Sequence, residues 1–307
     1  PAYEIGVRLV GSEMCIRDSV LGGCQGSTGP ASIDPTTGKA YGASFPTVTV
    51  RDMVRSQVAV ADKLGIDQWL SVVGGSMGGM QALEWAVMCP GRVRSVVPIA
   101  TALAASAWQI AWSAVARTAL AIDPRFRDGD YYEAEPGDGP HAGLAIARAI
   151  AQIHYRSDTS FRDRFGREPV DPQSVFGRWD RFQVESYLDY QGEKLVRRFD
   201  ANSYLYITRA MDYFDLEKQF NGTLSLAFKN TKSKFCVISF SSDWLYPTVE
   251  NKEIVIALNA CGANVGFVEI NSDKGHDSFL LNVPEFLRTV SDFLNSTYNE
   301  INNEKRI

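Results

Sequence analysis

Trp69-Leu70-Ser71-Val72-Val73-Gly74-Gly75-Ser76-Met77-Gly78-Gly79-Met80-Gln81-Ala82-Leu83-Glu84-Trp85-Ala86 is the stretch that decides the fold. An apolar run, a Gly-x-Ser-x-Gly turn and a helical pattern make a strand, a sharp turn and a helix. That is the context a nucleophile elbow requires. A serine on so tight a turn is held in a strained backbone conformation, and side chains at the flanking positions would collide across it. Ser76 is therefore the candidate nucleophile. The N–H of Met77, at the helix start, is the candidate oxyanion donor.

A serine nucleophile needs a base, and the chain has three histidines. His141 follows a Pro/Gly-rich stretch and reads as an exposed loop residue. His154 lies in a helical pattern beside Tyr155 and reads as structural. His276 follows the apolar run 265–270, in Asn271-Ser272-Asp273-Lys274-Gly275-His276-Asp277. A loop after a late strand is where the chain order Ser…Asp…His puts its base. The acid is expected at another strand end between Ser76 and His276. Asp243 directly follows Phe235-Cys236-Val237-Ile238-Ser239-Phe240, a buried-strand pattern. It fits the acid, with the cap of a helix ahead of Pro247 as the alternative. Asp212 and Asp215 satisfy the order alone, but within a helical segment.

At 307 residues and 45% hydrophobic, the chain is long enough for one large α/β domain, or a core with a cap. A net charge of −5 with no long basic block argues against nucleic acid as a partner. No apolar stretch is long enough to span a bilayer, and no early segment has signal-peptide order. Five cysteines without a C-x-x-C read as cytosolic thiols, and the histidines lack metal-ligand spacing.

Residues 20–46 read as a long ordered loop. Val50, Met53, Val54, Val58, Ala61 and Leu64 recur at helical spacing up to Gly65. After the elbow comes a buried strand over 93–100. Residues 108–122, 142–155, 182–199 and 203–214 then read as helices. Strand 235–240, helix 248–260, strand 265–270, the His276 loop and a helix over 278–294 complete the order. The polar tail, 295–307, is expected to fray. This order predicts an α/β-hydrolase fold: a mostly parallel sheet flanked by helices, with an inserted helical lid over the strand ends.

Several segments resemble homoserine O-acetyltransferases. They are Val20-Leu21-Gly22-Gly23-Cys24-Gln25-Gly26-Ser27-Thr28-Gly29-Pro30, Arg51-Asp52-Met53-Val54, the elbow and Gly129-Asp130-Tyr131-Tyr132. Tyr190-Gln191-Gly192-Glu193-Lys194, Arg198-Phe199-Asp200-Ala201-Asn202-Ser203-Tyr204 and Phe240-Ser241-Ser242-Asp243-Trp244-Leu245 complete the set. The resemblance runs from residue 20 to about 294. It implies core segments at 20–104 and 226–307 around a lid at 105–225. It also implies a cytoplasmic homodimer and transfer of acetyl from acetyl-CoA, a co-substrate with no bound cofactor, to the hydroxyl of L-homoserine in methionine synthesis. The family's triad falls on Ser76, Asp243 and His276. Its substrate-anchoring residues fall on Arg148 and Tyr155 for the carboxylate and Asp277 for the ammonium. Arg148 and Tyr155 are two helical turns apart on one face.

One segment departs from the family. There, several strands precede the Val20–Cys24 region, and a loop between two of them carries the second oxyanion donor. Residues 1–19 do not match, and 10–19 look like translated adapter or vector sequence. The expectation is a chain lacking its first strands and that donor, and inactive as written. Succinyl transfer to homoserine or serine, a serine esterase and a non-catalytic fragment are the alternatives.

Overall fold

The structure, a computed structural model, describes residues 20–135, 137–173 and 177–304. The expectations about residues 1–19, and Cys15 with them, lie outside the described residues. Four strands form a parallel sheet in the order β1 (Val72–Gly75), β2 (Ser95–Ile99), β3 (Lys234–Phe240) and β4 (Asn264–Ile270). Helices α1 (Val50–Lys63) and α2 (Met77–Met88) flank β1 in sequence. Between β2 and β3 lie α3 (Ala107–Ala121), α4 (His141–Tyr155), α5 (Asp158–Phe165), α6 (Gln183–Val196) and α7 (Ala201–Asp212). The short α8 (Leu216–Gln219) and α9 (Leu224–Ala227) follow. Helices α10 (Thr248–Ala260) and α11 (Pro284–Glu304) complete the order.

A parallel sheet covered on both faces needs near-continuous apolar strands, and β2 is buried throughout. Side chains alternate between faces. Phe235 and Val237 pack with Leu83 and Ile254 on one side, whereas Ile238 and Phe240 pack with Ile270 and Phe286 of α11 on the other. Among the described residues, no helix is long and apolar enough to cross a membrane.

Two boundaries differ from the sequence expectation. Residues 275–280 form a 3-10 turn, and the last helix starts only at Pro284, a residue suited to a first helical turn. The tail does not fray at 295: α11 continues to Glu304. Leu294 and Thr297 are buried, and Lys234 Nζ at the start of β3 meets Glu300 Oε1 at 2.5 Å. Those contacts reward helical residues that the polar composition alone does not favour.

The motifs of the helical stretch meet one another. Tyr131 and Tyr132 hydroxyls donate to the two Asp200 carboxylate oxygens at 2.6 and 2.9 Å. Asp200 also caps α7 through the Ser203 N–H. Gln25 reaches the Arg198 carbonyl, so the early loop is tied to the same corner.

The Arg51 motif anchors the elbow helix. Arg51 pairs at 3.1 Å with Glu84 of α2, whose side chain is 0% exposed, and Gln219 Nε2 donates to the other Glu84 oxygen. Burial raises the Glu84 carboxyl, and Arg51 and Gln219 oppose the rise. Arg51→Met should therefore cost about 3 kcal/mol at neutral pH, because a buried carboxylate loses its counter-charge. Adding Glu84→Gln should recover most of that loss, as read from urea unfolding midpoints of the single and double variants.

Candidate active site

Ser76 sits between β1 and α2 at φ 56° and ψ −121°, a conformation that is costly for a residue with a Cβ. The turn is tight: a Cβ on Gly74 would lie 2.0 Å from the Gly78 carbonyl oxygen. Neighbours hold the strain in place. Ser76 N donates to Ile99 O at 2.9 Å, and Thr101 Oγ1 donates to Ser76 O at 2.9 Å. Gly79 N and Met80 N turn back onto Ser76 O. The Met77 N–H belongs to the first residue of α2, where no preceding helical carbonyl exists to receive it.

Asp243 follows β3 and His276 follows β4. Asp243 Oδ2 lies 2.8 Å from His276 Nδ1, with both side chains almost fully buried. Asp243 Oδ1 accepts the N–H groups of Leu245 and Tyr246 at 3.0 and 2.9 Å. The carboxylate thus fixes the imidazole and leaves Nε2 for other chemistry. It does not cap α10, whose N-cap is Pro247. His276 reaches this position because Gly275 adopts φ +70° and approaches α4 so closely that a Cβ would stand 2.6 Å from Ser157 N. Tyr246 stacks on the His276 ring at 5.1 Å, Tyr155 lies at 5.7 Å and Phe279 meets it edge-on at 5.5 Å. The Phe279 ring also fills the space above Gly75, so the elbow and the histidine turn touch through it.

Arg148 and Tyr155 share a face of α4, with the guanidinium 5.9 Å from the Tyr155 ring centre. Asp277 adjoins His276 and has Arg156 Nε 3.4 Å from its carboxylate. Burial raises the Asp277 carboxyl, opposed by Arg156, His276 and Arg148. Burial also raises the Tyr155 hydroxyl, with Arg148 opposing and Asp277 reinforcing the rise.

A cavity of about 40 Å³ joins Ser76 to Tyr155, Tyr246, His154, Trp112 and Asp212. A larger one, about 510 Å³, lies between Tyr132, His141 and Arg198 and does not include the serine. The other sequence candidates fall as follows. His141 is the first residue of α4 rather than part of a loop. Asp215 caps α8. Asp212 pairs with Arg117 at 2.6 Å, away from His276 but on the cavity wall. The sequence reading missed His154 as a wall of this cavity. Its helical position argued for a structural role, and its spacing of six from Arg148 put it off the face that drew attention. Tyr246 was missed too. Its nearness to Asp243 was a usable signal, and it lines the same cavity as Ser76.

Residues 19–283 match the family model for the alpha/beta hydrolase fold. The chain is 54% identical over 282 residues to the homoserine O-acetyltransferase of Rhodopseudomonas palustris, covering 92% of this chain and 70% of that protein. The crystal structure of homoserine O-acetyltransferase from Bacillus anthracis superimposes with a TM-score of 0.80 at 27% identity, over 88% of this chain and 71% of that one. Esterase E22 gives 0.79 at 28% identity, over 87% and 72%.

Burial lowers the His154 imidazole from 6.5 to about 3, with the positive charges of His276 and Arg148 adding to the effect. A depressed folded pKa means that the unfolded chain binds the proton first. The stability linked to this residue is present above pH 6.5 and is lost as pH falls toward 3. The slope is at most about 1.4 kcal/mol per pH unit. His154→Phe removes the titration. Urea melts of both proteins between pH 7 and 4.5 should show the parent losing about 2 kcal/mol more than the variant. Parallel losses would place the acid sensitivity elsewhere.

Proposed function

Because the chain belongs to the homoserine O-acetyltransferase family of α/β hydrolases, we propose that it moves acetyl from acetyl-CoA to the hydroxyl of L-homoserine through an acyl-serine. Its product would feed methionine synthesis. In this reading Ser76 Oγ attacks the thioester carbon while His276 Nε2 takes its proton. Asp243 holds the imidazole and stabilises its charged form. The Met77 N–H donates to the oxyanion. The thiolate of CoA leaves and takes the proton from His276. The homoserine hydroxyl then attacks the acyl carbon, His276 accepts its proton, and Ser76 Oγ departs with that proton. The chemistry requires no bound cofactor, and acetyl-CoA is consumed as a co-substrate.

The observation that carries transfer over hydrolysis is the gathering of Arg148, Tyr155 and Asp277 beside His276. An esterase has no need of an amino-acid clamp. Arg148 is assigned the substrate carboxylate, for which a guanidinium has two matched donors, with the Tyr155 hydroxyl beside it. Asp277 is assigned the ammonium. Its buried carboxylate gains from a cation, and Arg156 already supplies part of that charge. A homodimer and a cytoplasmic location belong to the same reading. Exposed apolar side chains on the helical stretch support the first, among them Val115, Ile122, Ile146 and Trp179. Free Cys24, Cys89, Cys236 and Cys261 fit a reducing compartment.

In the chain restored to the length of its relatives with the N-terminal region of one of them, Ser76→Ala should abolish acyl-enzyme formation. Mass spectrometry after mixing with acetyl-CoA should find an acetyl adduct on Ser76 of the parent and none on the variant. An adduct on another residue would refute the nucleophile. Loss of the serine should lower transfer by several orders of magnitude.

Arg148→Leu should raise the KM for homoserine at least thirtyfold. The substrate carboxylate would lose about 2–5 kcal/mol of pairing. Thioester attack precedes homoserine binding, so burst acylation of Ser76 should stay within a few-fold of the parent. Lost acylation with an unchanged homoserine KM would assign Arg148 to the CoA side. Rapid hydrolysis of acetyl-CoA by the parent, unaffected by homoserine, would instead favour the esterase-type activity.

A further inference from the structure

His154 takes no part in the proton transfers above, yet it is 7% exposed and lines the cavity that contains Ser76. Its ring stands 5.1 Å from Trp112 and 4.6 Å from Tyr155, centre to centre. Trp112 is braced from behind by Trp108 at 5.5 Å and Trp244 at 5.8 Å. That brace is itself fixed by hydrogen bonds: Trp108 Nε1 donates to Trp244 O at 3.0 Å and Trp244 Nε1 to Arg156 O at 2.8 Å. A wall packed in this way yields little to a bulky occupant.

The histidine is an expensive choice for packing alone. Its Nδ1 is buried with no hydrogen-bonding partner among the described residues, and a phenyl or isobutyl group would fill the space without that cost. The cavity it bounds measures about 40 Å³. That is room for roughly two water-sized groups, enough for the short end of an acyl chain and too small for an amino acid with both its charged ends. Asp212, paired with Arg117, lines the same wall.

We propose that His154, backed by Trp112, sets the length of the acyl group that Ser76 accepts, admitting acetyl and turning away longer chains. The inference rests on the acyl-serine reading above. His154 is a specificity residue here, acting through the shape of the wall and leaving proton transfer to His276.

The test uses the chain restored to the length of its relatives with the N-terminal region of one of them, and acetyl-CoA, butyryl-CoA and succinyl-CoA, reading the mass of the Ser76 adduct and the rate of thiol release. One added methylene in a closed apolar pocket is worth about 10–200-fold in selectivity. The parent should therefore prefer acetyl over butyryl by about a hundredfold or more. His154→Ala should narrow that ratio at least tenfold while the homoserine KM stays within a few-fold. His154→Phe, which restores the ring without its nitrogens, should keep the parental ratio. His154→Val gives the same reading if the alanine variant does not fold. An unchanged butyryl-to-acetyl ratio in the small variants overturns the inference alone, as does a changed homoserine KM with an unchanged acyl ratio. No acetyl adduct on the parent overturns the functional reading and this inference with it.

Discussion

The left-handed backbone at Ser76 is the constraint on which the rest of the site depends. A serine at φ 56° is unfavourable unless its surroundings over-determine it, and here they do so through a buried chain of contacts. Thr101 Oγ1 holds the Ser76 carbonyl, and the Thr101 N–H donates in turn to Asn251 Oδ1 at 3.2 Å. Asn251 Nδ2 donates to the Tyr246 carbonyl, and Tyr246 stacks on His276. Thr101 and Asn251 are both fully buried. The elbow, the helix after β3 and the imidazole are therefore set relative to one another by groups that never meet solvent. Every hydrogen bond in that chain is satisfied, so the polar path stiffens the core at little net cost.

The parallel sheet supplies the other half of the geometry. Adjacent strands in register end together, so the turns after β1, β3 and β4 all open at one edge. That is why residues 243 and 276, distant in sequence, meet in space, and why the Ser76 turn opens on the same side of the sheet. The helical stretch between β2 and β3 then brings Tyr155 and Trp112 over the same edge. Its attachment is specific: Gly275 packs against the end of α4, Ser157 Oγ donates to the Asp273 carbonyl, and Trp244 donates to Arg156. Each link joins a strand-end turn to the end of α4, so the cavity and the His276–Asp243 pair are built by the same contacts.

Much of this was legible in the sequence because it is local or periodic. The elbow announces itself by glycine spacing, the strands by apolar runs, and Asp243 and His276 by their places just after such runs. The misses share one physical cause: they depend on partners far along the chain. Nothing near residue 295 predicts an ordered helix, since the reward comes from Lys234 and from the sheet face. Asp212 read as a possible acid by its order, but its character is set by Arg117, 95 residues earlier. His154 looked structural because its helix is amphipathic. Only the packing of α3 against α4 puts the ring beside Trp112 and the serine.

In the proposed reading Ser76 becomes acylated, and what becomes of the acyl group depends on what reaches it next. Water is small and abundant, so a transferase must make the acyl-serine hard to hydrate and easy for one alcohol to reach. The rings of Tyr155, Tyr246 and Phe279 pack around His276 and cover it with largely apolar surface. Arg148, beside the Tyr155 ring, and Asp277, next to His276, are the groups to which the proposed reading assigns the amino acid. The burial that raises the Tyr155 and Asp277 groups also strengthens any electrostatic interaction made there. In the proposed reading burial serves both requirements at once, excluding water from the ester and strengthening recognition of the alcohol that replaces it.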